Sequence, residues 1–76
     1  MKLTDKDEVN EAKSMFLMAL GDRCFRRVCI KNDLNYQNMH HAMFRSKIFD
    51  LKTANLILEK AGTGKQIKNT IQLTEI

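Results

Sequence analysis

The chain has no proline and only three glycines, Gly21, Gly62 and Gly64. Residues that break helices are thus nearly absent, which argues for helices and against a loop-rich or all-β fold. Long apolar runs are missing too. The longest, residues 15–20, falls far short of the roughly 20 residues that a membrane-spanning helix needs. Nor does the chain open with a basic segment, an apolar stretch and a cleavage site. A soluble, cytoplasmic protein is expected. Cysteine is scarce: Cys24 and Cys29, five apart on one expected helix, point in different directions and make a poor disulfide. No second pair completes a zinc shell, so Cys29 reads as a small core residue. The adjacent His40 and His41 diverge by about 100° on a helix, and no further histidine exists to close a metal site. No metal, cofactor or small-molecule substrate is implied.

What is present is a chain of 76 residues, 43% hydrophobic and 29% charged, a globular balance. Its length allows one domain with a small core, of marginal stability unless a dimer or a staple helps. Thr4 is placed to cap a first helix over about residues 5–20, with Asp5, Asp7 and Glu8 favouring the positive end of its dipole. Val9, Ala12, Phe16, Ala19 and Leu20 recur at helical spacing, and Gly21 is a stop. Asp22 is expected to cap a second helix, about 23–32, with Phe25, Val28 and Cys29 inward. After Asp33 and Leu34, Asn35 caps a third, about 36–44, whose inward residues are Met39, Ala42 and Met43. Ile48 and Phe49 read as buried. Asp50 caps a fourth helix with Leu51, Ala54, Ile57, Leu58 and Ala61 inward, ended by Gly62. Short connections require these helices to cross steeply in a compact four-helix bundle.

The tail, residues 63–76, changes period. Ile67, Asn69, Ile71 and Leu73 alternate with polar residues in a β-favouring composition. A lone strand here has no partner in its own chain, so it frays, lies on the bundle, or pairs with a symmetry mate. Gly62, Thr63, Gly64 and Lys65 suggest a phosphate loop, but Glu59 stands where its first glycine belongs and Gln66 follows the lysine. A helix C-terminal cap is the better account.

Charge is unevenly placed within the formal net charge of +4. Residues 1–12 set Lys2 and Lys6 against Asp5, Asp7, Glu8 and Glu11, net −2. Residues 23–52 set Arg23, Arg26, Arg27, Lys31, Arg45, Lys47 and Lys52 against Asp33 and Asp50, net +5. A phosphate backbone is a natural partner for such a concentration, through counterion release; a solvated basic face gives the same composition. On the third helix, Tyr36, Gln37, His40 and His41 stand at i, i+1, i+4 and i+5, expected to share an outward face.

Residues 25–42 resemble the helix-turn-helix of the phage-repressor (Cro/repressor, XRE-like) family. The likeness rests on Val28 followed by small Cys29, on Leu34 just after the turn, and on Met39 and Ala42 inside the second helix. Residues 49–62, from Phe49-Asp50-Leu51 to the closing Gly62, look like that family's leucine-rich fourth helix. Two positions depart: the family usually has glycine where Asp33 stands, and an apolar residue in place of Asn32. Asp adopts the left-handed conformation at some cost. The resemblance implies a mainly α, lambda-repressor-like bundle over 1–62, with the helix-turn-helix at about 23–45 and a tail over 63–76. It further implies a sequence-specific regulator, a small repressor of phage or mobile-element type, with the helix over 35–45 in the major groove of double-stranded DNA. Tyr36, Gln37, His40 and His41 would read bases, Gln37 pairing with adenine. Arg26, Arg27, Lys31, Asn35, Arg45, Lys47 and Lys52 would touch phosphate. A homodimer is expected, its tails (residues 70–75) paired as an antiparallel ribbon so that two half-sites are read. A second reading is a helical protein-interaction module using a methionine surface of Met15, Met18, Met39 and Met43. An enzyme lacks support, since neither a paired acid constellation nor a nucleophile with a base at motif spacing occurs.

Overall fold

The computed structural model describes residues 2–45 and 47–76. Helix α1 (Lys6–Leu20) starts where Asp5 turns extended and its carboxylate accepts the amide hydrogens of Asp7 and Glu8, both at 3.0 Å. The cap is therefore Asp5, one residue after the expected Thr4, because a cap must reach the second and third helical amides. Val9, Ala12, Phe16, Ala19 and Leu20 are buried, as their spacing predicts. Helix α4 (Leu51–Lys60) is capped by Asp50, which accepts from the Lys52 amide at 3.2 Å and the Thr53 hydroxyl at 3.0 Å. It buries Leu51, Ala54, Ile57 and Leu58. Phe16 of α1 and Ile57 and Leu58 of α4 are fully enclosed, and with Phe49 and Met43 they form the centre of the core.

Helix α2 (Phe25–Lys31) begins two residues later than its expected start. Cys24 occupies the cap position without a side-chain bond, so Asp22 caps nothing. Arg23 instead donates through Nε to the Ala61 carbonyl at 3.0 Å, tying the chain before α2 to the end of α4. At the other end, the Asp33 amide donates to the Ile30 carbonyl at 3.3 Å and the Leu34 amide to that of Cys29 at 2.8 Å. That pair of bonds is the Schellman motif, which needs left-handed backbone between them; Asp33 supplies it at φ +58. Asn32 donates its side-chain amide to the Val28 carbonyl at 2.8 Å, so its polarity is satisfied locally.

Helix α3 (Tyr36–His40) is capped by Asn35, whose side-chain oxygen accepts from the Asn38 amide at 3.0 Å. It continues as a π-helical turn, His41–Arg45. Of the two residues expected inward there, Met43 is fully buried, while Ala42 is only half-buried because the wider turn shifts its position.

Two antiparallel strand pairs complete the fold. Strands β1 (Lys2–Leu3) and β2 (Phe49–Asp50) pair with Leu3 opposite Phe49, both buried, joining the start of the chain to the start of α4. Ile48, expected to be buried, is 38% exposed, since adjacent residues of extended chain point to opposite sides. In the tail, β3 (Lys65–Ile67) and β4 (Leu73–Glu75) form a hairpin with Ile67 opposite Leu73 and Lys65 opposite Glu75. The lone-strand expectation fails here: the alternating run spans the end of β3, the turn and the start of β4. Ile71 makes the reversal, again at φ +58, its amide donating to the Lys68 carbonyl at 2.9 Å. Ile67 and Ile71 lie in the core, so the segment after Gly62 folds onto the bundle. The radius of gyration, 11.3 Å, is that of a chain packed throughout, about 11 Å at this length.

Candidate nucleic-acid interface

The α2–turn–α3 unit is a thin layer over the core. Of α2 only Cys29 is buried, and of α3 nothing. Aromatic stacking holds α3 in place. Tyr36 meets Phe25 edge-on, centroids 5.2 Å apart at 84°, and Phe25 meets the buried Phe16 at 5.4 Å. His40 lies 5.0 Å from Phe44 and 5.5 Å from Tyr36. Each such pair contributes about 0.5–1.5 kcal/mol beyond area burial. The four residues expected on one outward face are therefore split: Tyr36 and His40 turn partly inward, while Gln37 and His41 are exposed. A helix turns about 100° per residue, so i and i+4 share one side and i+1 and i+5 the next.

In front of this layer lies a surface depression of about 910 Å³. Arg26, Asn35, Tyr36, Gln37, His40, His41 and Arg45 line it, all singled out from the sequence. Ile30, Leu34 and Asn38 line it as well and were missed. Asn38 is exposed one residue beyond Gln37, and the position three after the Asn35 cap was the signal for it. Ile30 is 67% exposed, an apolar residue off the inward stripe of α2, and that misfit was its signal. Asn35 has its oxygen engaged in the cap, which leaves its amide nitrogen for a ligand.

No family model, characterised protein or solved structure matches this chain.

The remaining cations of the expected phosphate set are exposed but dispersed. Arg27 and Lys31 stand on α2 outside the lining of the depression. Lys47 lines a second depression with residues of α1, and Lys52 a third beside the tail hairpin. The methionines do not make a surface. Met43 is fully enclosed, Met15 and Met39 are half-buried against the core, and only Met18 of the four is exposed. Cys24 is an exposed free thiol; Cys29 is buried, and burial pushes its thiol pKa up. No helix among the described residues is long and apolar enough to cross a membrane.

Proposed function

We propose that the chain is a sequence-specific DNA-binding regulator of helix-turn-helix, lambda-repressor-like type, which presents α3 to the major groove. The observation that carries this reading is the depression in front of α3. Exposed amides and an imidazole (Gln37, Asn38, His41) project there between Arg26 and Arg45. Amides pair with base edges and guanidinium groups with phosphate, and a helix on a tight turn is the usual way to bring both to a duplex. The left-handed Asp33 supports the same reading, since it closes the turn where the resembling family uses glycine. Regulation would come from occupancy, as a repressor. A homodimer would place two copies of α3 on half-sites about 34 Å apart. Its ribbon would form along the outer edge of β4, whose inner edge β3 already occupies.

The test is binding of the full chain to the DNA flanking its own gene. Gln37→Ala should weaken cognate binding by about 1–3 kcal/mol and spare random duplex. Equal loss on both would remove Gln37 from base reading. Methionine burial leaves the interaction-module reading without its expected surface, and a steep salt dependence of DNA binding would separate the two further.

A further inference from the structure

The charges on α1 are segregated. Lys6, Asn10 and Lys13 stand at i, i+4 and i+7, on one helical face, while Asp7, Glu8 and Glu11 lie about 100° or more around the axis. The segment's negative sum hides this division. The basic face meets Lys47, and together they line a depression of about 430 Å³ that also includes Thr4 and the buried Val9. Lys47 follows two residues after Arg45, which lines the depression in front of α3. The two basic surfaces therefore come within two residues of each other along the chain. Among the described residues Lys6, Lys13 and Lys47 are engaged in no ion pair.

We propose that Lys6 and Lys13 of α1, with Lys47, grip the phosphate backbone of the duplex whose major groove α3 enters. This rests on the DNA-binding reading above and extends its footprint onto α1. The molecule measures 31 × 26 × 19 Å, whereas the major groove is about 12 Å wide. The surfaces flanking α3 must therefore lie over the phosphate ridges, and the flank beside Arg45 is this one. Seven helical residues set Lys6 and Lys13 about 10 Å apart. Each strand of a duplex carries one charge per about 3.4 Å of axis, so two amines at that separation both find phosphates along one ridge.

The experiment is the salt dependence of binding to a labelled random duplex, followed by fluorescence anisotropy between about 50 and 200 mM salt. The double variant Lys6→Gln/Lys13→Gln should flatten the slope of log affinity against log salt by about 2, at about 0.9 per phosphate contact. Lys6→Arg/Lys13→Arg should keep the wild-type slope, as should Lys60→Gln at the far end of α4. Circular dichroism of each variant checks that the fold is kept. If Lys6→Gln/Lys13→Gln keeps the wild-type slope while Arg27→Ala lowers it, α1 is not on the duplex and the DNA-binding reading survives alone. A wild-type chain that binds anionic vesicles but no duplex overturns both.

Discussion

Asp33 and Ile71 adopt the same left-handed backbone, φ +58 in each, for opposite reasons. Asp33 is exposed, and its turn is closed by two backbone bonds at the end of α2. A short polar side chain tolerates that conformation, so local bonding suffices. Ile71 is β-branched, at a hairpin position that glycine normally fills, and only 6% of it is exposed. Its turn is imposed from outside. Left-handed backbone costs about 1–2 kcal/mol, and burying an isoleucine side chain contributes about 1.5–3 kcal/mol. The core contact outweighs the strain. One turn is thus written in its own residues, and the other is held by what it packs against.

Glycine at each position breaks that comparison in opposite directions. Ile71→Gly relieves the strain but empties a core site, and should destabilise by about 3 kcal/mol in urea unfolding. A variant as stable as wild type would mean that the packing of Ile71 does no more than offset its strain. The next effect tests the hairpin's other anchor. Asn55 of α4 accepts the Ile67 amide at 2.8 Å and donates to the Ile67 carbonyl at 3.0 Å, acting as a third strand along β3. Asn55→Ala leaves both backbone groups of a buried residue unpaired and should cost about 2 kcal/mol. Amide exchange at Ile67 should quicken by more than exchange elsewhere in the hairpin; uniform quickening would make Asn55 a general core residue.

The opposite sign is expected at the first turn. Asp33→Gly removes the strain but adds freedom to the unfolded chain, for a net gain of about 0.5 kcal/mol. A loss would show that the Asp33 side chain holds the turn. The smallest effect concerns Cys29, whose carbonyl closes that turn. Its thiol pKa is raised by burial, so the folded state resists ionisation more than the unfolded state does. The resulting stability is complete below the unfolded value of about 8.5 and is lost as pH rises through the folded one. Cys29→Ala should flatten the alkaline fall in melting temperature; an unchanged fall would assign it to other groups.

The caps Asn35 and Asp50, the inward stripes of α1 and α4 and the stop at Gly62 were all legible in the chain. Each depends on residues within one or two turns of each other, where spacing alone fixes geometry. The same holds for Gln37 on α3 and His41 at the start of the π turn, both of them exposed. Cap choice was less legible: Thr4 and Asp22 have the right chemistry, but Asp5 and the chain geometry at Cys24 took their places.

By itself the sequence determined four helices and the buried stripes of α1 and α4, because helical spacing is a local property. Tertiary structure alone decided that Tyr36 turns toward Phe25, and that Ala42 stays only half-buried beside the enclosed Met43. It also folded the tail back as a hairpin on Asn55 and joined Lys6 and Lys13 to Lys47. These partners lie several turns to many tens of residues apart. Contacts of that kind leave no periodic trace, since chain closure and shared burial bring them together only once the helices have packed.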